Sequence, residues 1–238
     1  MPKSEPESHH QHRDITGGAA RAAVFGVSDG LTTNVALILG VAGAHPAAGV
    51  VRLAGMAGLI GGAFSMAAGE WVSMRAQAEL LERELAIERR ELIRAPDKER
   101  RELASIYRGR GIDSETADSM AHQVMADTDL ALEVHAREEM GIDPSRLGSP
   151  TKAAASSFAT FAGGALVPLL PWLVGHGTGA IVASVMLAAV AAAMVGAALA
   201  RFTGKGVLRT AGRQVLIAAA AAVVTYGIGA LVGVSGGA

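Results

Sequence analysis

VVRLAGMAGLIGGAFSMAAGEWVSM (Val50–Met74) runs straight into RAQAELLERELAIERRELIR (Arg75–Arg94), and this junction decides the fold. The first stretch holds only two charged residues, Arg52 and Glu70. It exceeds the roughly 20 residues needed to cross a ~30 Å hydrocarbon core at about 1.5 Å per residue. From Gln77 to Ile93, Leu80, Leu81, Leu85, Ile87 and Leu92 recur among charges, as on a helix in water. No helix breaker separates the two. One helix is therefore expected to cross a membrane and continue into the aqueous phase until Pro96 ends it.

Working outward, a first apolar segment covers about Ala19–Ala44, with Pro46 and Gly49 in the short turn before the second. Three more follow at about Ala153–Val174, Gly177–Ala200 and Gln214–Val234. The expected fold is all-α: a polytopic membrane protein with five transmembrane helices and a helical insert between spans 2 and 3. The expected divisions are a polar tail (1–18), spans 1 and 2 (19–75), the insert (76–150) and spans 3 to 5 (151–238). Within the insert, helices are expected at Asp97–Tyr107, closed by Gly109 and Gly111, at Glu115–Ala126 with Ser114 as cap, and at Asp129–Met140 before Gly141.

Composition agrees. Half of the 238 residues are hydrophobic, 18% are charged, and mean hydropathy is +0.34. The net charge is -1 and aromatic content is 4%, which argues against a nucleic-acid partner. There is no Cys, which excludes disulfides, thiolate metal sites and a Cys nucleophile. Charge is unevenly placed. Residues 76–150 hold 17 of the 22 acids against 11 Lys and Arg, a net of −6, and residues 151–238 hold no acid. Lys3, Arg13, Arg21, the insert, and Arg201, Lys205, Arg209 and Arg213 fall on one side, whereas the opposite turns hold only Arg52. The excess of cations predicts a cytoplasmic N-terminus and insert, with the C-terminus outside. The Ala/Gly/Arg-rich composition leans toward a bacterial cell membrane. His9, His10 and His12 lie in the polar tail, which lacks the apolar core of a signal peptide and reads as solvated chain.

Asp29 is the only acid of the first span, roughly 13 Å from its inner end by helix rise. A carboxylate at that depth is expensive and is expected to bind a cation or carry a proton, the alternative being a structural hydrogen bond to Ser28 or a neighbouring helix. Met66 lies about 12 Å from the inner end of the neighbouring span, and Glu70 shares its helix face at i,i+4. Carboxylate and thioether together suit Fe²⁺ better than Ca²⁺ or Mg²⁺. Asn34, Ser28, Thr32 and Thr33 could complete a polar lining of the path. In the insert, Glu84, Glu88 and Glu91 stand at i, i+4, i+7, Glu99 and Glu102 at i,i+3, and His135 with Glu138 and Glu139 at i,i+3 and i,i+4. Carboxylates converging with a His from several helices suit a metal, although Glu pairs flanked by Arg are also common on solvated helices. Gly58 with Gly62, and Gly229 with Gly233, permit close helix approach or dimerisation. Pro168 and Pro171 release the carbonyls of Gly164 and Val167, which favours a kink or a cavity-lining carbonyl. No phosphate-binding loop or hydrolase motif occurs, which argues against ATP-driven pumping by this chain alone.

At Ala23–Leu39 (AVFGVSDGLTTNVALIL), Gly61–Met74 (GGAFSMAAGEWVSM) and Gly163–Pro171 (GGALVPLLP), the sequence resembles the vacuolar iron transporter family. The resemblance covers nearly everything from Arg13 onward and includes the five spans and the insert. It implies a homodimer that moves Fe²⁺, and often Mn²⁺, out of the cytoplasm in exchange for protons. It also implies that Asp29 and Met66 line the path at the dimer interface, and that Glu88, Glu91, Glu99, Glu102 and Glu139 collect metal. Where well-studied members carry a Met pair, this chain has His135 and Ala136; an imidazole there could take Fe²⁺, Mn²⁺ or Zn²⁺. The expected function is a proton-coupled metal exporter, a secondary transporter rather than an enzyme, with metal as substrate and no resident cofactor. The rivals are a membrane-anchored ferroxidase or iron-storage module, and a metal sensor.

Overall fold

The computed structural model describes residues 18–143 and 148–235. The expected tail, with His9, His10 and His12, lies outside the described residues. The described elements are all helical: α1 (Gly18–Gly43), α2 (Ala48–Arg94), α3 (Pro96–Gly109), α4 (Ser114–Val124), α5 (Thr128–Glu138), α6 (Pro150–Val174), α7 (Gly177–Thr203) and α8 (Val207–Ser235). Five of them, α1, α2, α6, α7 and α8, are long and apolar enough to cross a membrane. The chain divides into two compact units. One comprises residues up to Glu70 and from Lys152 onward, and the other is Trp71–Thr151.

α2 is one unbroken 47-residue helix, as the uninterrupted junction at Met74–Arg75 requires. It stops because Ala95 leaves helical geometry (φ −140°, ψ 53°) ahead of Pro96, whose ring disfavours the helical region for its predecessor. Pro96 then takes the first position of α3, where its missing N–H is no loss.

In the membrane unit α1 is the hub. Leu31, Val35 and Leu39 pack on Ala188, Ala191 and Ala192 of α7 and on Ala218 and Ala222 of α8. Ile38 and Ala42 pack with Val51 of α2, Leu169 and Trp172 of α6, and Ala180 of α7. The small residues on the partners let backbones approach. A Cβ at Gly30 would fall 2.1 Å from the Phe161 carbonyl oxygen of α6, and one at Gly229 would fall 1.8 Å from the Gly40 carbonyl oxygen of α1. The Gly229/Gly233 pair therefore serves packing of α8 on α1, and Gly58 and Gly62 face α1 and Phe161 of α6, all within this chain. Outward, Val182, Met186, Val190 and Met194 of α7 and Leu216, Val223 and Leu231 of α8 are exposed. Such apolar surface needs lipid or another protein to cover it, and the chain is an integral membrane protein.

α6 stays helical through Pro168 and Pro171. Side chains of other helices donate to the carbonyls of Ala165, Pro168 and Trp172 and, just past the helix end, Gly175. Arg52 donates from Nε to the Trp172 carbonyl (2.6 Å) and from Nη2 to the Gly175 carbonyl (3.3 Å). It thus neutralises the negative end of α6, which gives this lone cation near the start of α2 a structural role.

The second unit is built on Leu103, Ala104 and Tyr107 of α3 against Ala117 and Ala121 of α4, with Val134 of α5 packed on them. Two of its helices, α4 and α5, are capped by aspartates. The Asp113 side chain accepts from the Thr116 N–H (3.0 Å), so the cap of α4 is Asp113 and not the expected Ser114, which is already the first helical residue. Asp127 accepts from the N–H groups of Asp129 (2.9 Å) and Leu130 (3.2 Å) at the start of α5. Gly111 takes the left-handed region (φ 91°) that turns the chain from α3 toward α4.

Candidate metal centre

α5 turns Ala131, His135 and Ala136 inward. Two alanines beside the imidazole leave room for the ring to be fully enclosed, and His135 is 0% exposed. Its Nδ1 lies 2.9 Å from Glu139 Oε1, one turn on in the chain, and 3.1 Å from Glu88 Oε1 of α2. One ligand atom from each of the three lies within 4.8 Å of the others. Among the described residues this is the one place where three His, Asp or Glu ligands meet at metal-binding separation.

The polar atoms here are under-satisfied. A single Nδ1–H cannot serve two carboxylates fully, and Glu88 Oε1 and His135 Nε2 are buried without a hydrogen-bond partner. Burial, with the Glu139 charge adding to it, raises the Glu88 carboxyl above the usual glutamate range, while His135 opposes the rise. Burial likewise raises Glu139, again against His135. A divalent cation would replace the shared proton and satisfy both carboxylates at once.

The other expected insert residues surround this centre unequally. Glu99 of α3 is buried at 1% exposure, and its charge acts on both Glu88 and Glu139. Glu91 and Glu102 are exposed; Glu91 acts on Glu88, and Glu102 on Glu139. Glu84 is half-buried one turn before Glu88. Glu138 pairs with Arg110 and is not in the triad. The sequence reading missed Lys98, whose Nζ lies 3.1 Å from Glu99 Oε1 and 3.7 Å from Glu102 Oε2. Its i,i+4 spacing to Glu102 was the available signal. The hydrogen bond to Glu99 and the charges of Glu99 and Glu102 hold the Lys98 ammonium above the ordinary lysine range.

In the membrane unit, Asp29 is half-buried and its Oδ1 accepts from Thr33 Oγ1 (3.2 Å), one turn on. Met66 is half-buried against the cluster of Ala63, Phe161 and Ala165. Gly30, next to Asp29 in the chain, abuts the backbone of the same Phe161. Glu70 is half-buried one turn beyond Met66. Asn34 is 0% exposed and donates from Nδ2 to the Ala165 carbonyl (2.6 Å). A Cβ at Gly58 of α2 would fall 2.8 Å from its Oδ1. Asn34 thus sits where α1, α2 and α6 meet.

Five membrane-length helices and a carboxylate–imidazole cluster able to take a divalent cation define a polytopic membrane protein with a metal-competent helical unit. The chain belongs to the VIT family, whose model matches residues 20–230. It is similar to vacuolar iron transporter 1 of Arabidopsis thaliana, 31% identical over 193 residues, covering 77% of this chain and 76% of that protein. Vacuolar iron transporter 1 of Oryza sativa is 33% identical over 72% of this chain and 69% of its own length. The vacuolar iron transporter of Acanthamoeba castellanii is 38% identical over 65% and 56% respectively. All three are eukaryotic and lend no support to the bacterial membrane expected from composition.

Proposed function

We propose that this chain transports divalent transition metal, Fe²⁺ foremost and Mn²⁺ as a second substrate, out of the cytoplasm in exchange for protons. The observation that carries the reading is the enclosed His135 Nδ1 between Glu88 and Glu139, a mixed nitrogen–oxygen set suited to Fe²⁺, Mn²⁺ or Zn²⁺. Metal is collected there and on Glu91, Glu99 and Glu102, whose charges act on Glu88 and Glu139. It then passes along a path on which Asp29 and Met66 are the principal ligands and Glu70 the next. Protons arriving from the far side convert Asp29 or Glu70 to a neutral acid, a poor ligand, and release the metal. The Lys and Arg distribution supports a cytoplasmic N-terminus and insert. The names of the relatives support iron as substrate, and the exposed apolar faces of α2, α7 and α8 leave surface for a homodimer.

The test is flux into proteoliposomes. Purified protein is reconstituted, and Fe²⁺ and Mn²⁺ entry is followed with and without an imposed pH gradient. Gradient-dependent flux that is lost in Asp29→Ala is expected. Normal flux in that variant, or flux indifferent to the gradient, would remove the centre of the proposal.

A further inference from the structure

Glu99 is a buried carboxylate, and such a group needs a charge or hydrogen-bond partner. The partner it has is Lys98 Nζ at 3.1 Å, which also lies 3.7 Å from Glu102. The lysine is supplied by the preceding residue, and its side chain is 61% exposed, so it reaches Glu99 from the solvent side. The ammonium therefore places one positive charge on carboxylates that, on the reading above, receive the metal. A metal ion at the Glu99–Glu102 pair and the ammonium compete for these oxygens, because like charges a few ångström apart repel.

We propose that Lys98 is a tethered counter-cation that competes with the metal for Glu99 and Glu102 and so sets the affinity of the insert for its substrate. In the unloaded protein it satisfies the buried Glu99. On loading it swings into solvent, which its exposure permits, and on departure of the metal it returns. The insert thereby binds metal less tightly than its carboxylate count alone would give, which suits a site that must hand its ion on. The lysine acts by moving and not by losing its proton.

This proposal rests on the insert being a metal-receiving site, and the experiment separates the two. Mn²⁺ binding to the full chain in detergent is measured by calorimetry for the unaltered protein, Lys98→Met, Lys98→Gln, Lys98→Arg and Glu88→Gln. Removal of one unit charge a few ångström from a cation corresponds to a tightening of about 10-fold, between the limits for water and for a protein surface. That gain is expected in Lys98→Met and Lys98→Gln, with Lys98→Arg close to the unaltered protein. A lysine that merely props Glu99 would give the opposite sign, weaker binding in both neutral variants, and that result overturns the proposal. Unchanged affinity in both neutral variants, with binding weakened in Glu88→Gln, overturns the role of Lys98 alone. Unchanged affinity in Glu88→Gln as well overturns the receiving-site reading itself.

Discussion

His135 Nδ1 and Glu88 Oε1, carried by α5 and α2 from opposite ends of the second unit's sequence, stand 3.1 Å apart with the imidazole wholly enclosed. A contact between residues 47 positions apart, with acceptors in excess of donors, is costly unless a cation completes it. Replacement of Glu88 by Gln removes one anionic ligand and keeps the shape. Divalent-metal affinity of the full chain is expected to fall about 10-fold or more, as for loss of a charged ligand hydrogen-bonded in place. Titration with Mn²⁺ checks it.

The same substitution is expected to raise the stability of the unloaded protein at neutral pH. Burial raises Glu88 and Glu139 above the usual glutamate value of 4.5. A carboxyl raised on folding contributes stability that is complete below its unfolded pKa and lost as pH rises through its folded one. That contribution fades as pH rises above the ordinary glutamate range, and a neutral Gln mimics the acid form. Thermal melting of metal-free Glu88→Gln should give a higher midpoint than the unaltered protein at pH about 7, and the difference should shrink toward pH about 4.

Metal binding runs the other way with pH. Protons compete for the raised carboxylates, so affinity is expected to decline on acidification at pH values above those at which an ordinary glutamate titrates. A Mn²⁺ titration series checks this, and a midpoint at or below 4.5 would contradict it.

Gly30→Ala places a methyl 2.1 Å from the Phe161 carbonyl oxygen, where only backbone can yield. Separation of α1 from α6 is expected to cost about 1–3 kcal/mol. Gly61→Ala, with nothing within 4 Å of the new methyl, is the matched control. Thermal unfolding in detergent compares them.

Asn34→Ala removes the donor to the Ala165 carbonyl and is expected to destabilise the membrane unit by about 1–3 kcal/mol. The check is a lowered melting midpoint with Mn²⁺ affinity of the insert unchanged.

The helical architecture was legible because its signals are local. Apolar runs longer than 20 residues, the unbroken Met74–Arg75 junction and the Ala95–Pro96 break each follow from covalent geometry or hydropathy. The His135–Glu139 pair was legible from i,i+4 spacing. The choice among Glu84, Glu88 and Glu91 was not, since all three share one face and only the arrival of α5 selects Glu88. Glu138 and Glu139 are neighbours in sequence, yet Arg110 takes the first and His135 the second. Asn34 reads in sequence as a polar residue facing a path, and its amide is bonded to a backbone carbonyl 131 residues away, a relationship no local pattern encodes.

Glu139 is also the residue at which α5 ends, its backbone N–H bonding to the His135 carbonyl. Two of the three ligand atoms therefore straddle the last turn of a short helix, where fraying is easiest. An ion held between them would act as a clasp on that turn. Loading would then be felt as a slowing of amide exchange at Glu138 and Glu139, so that the occupancy of the centre is written into the persistence of a single helical turn.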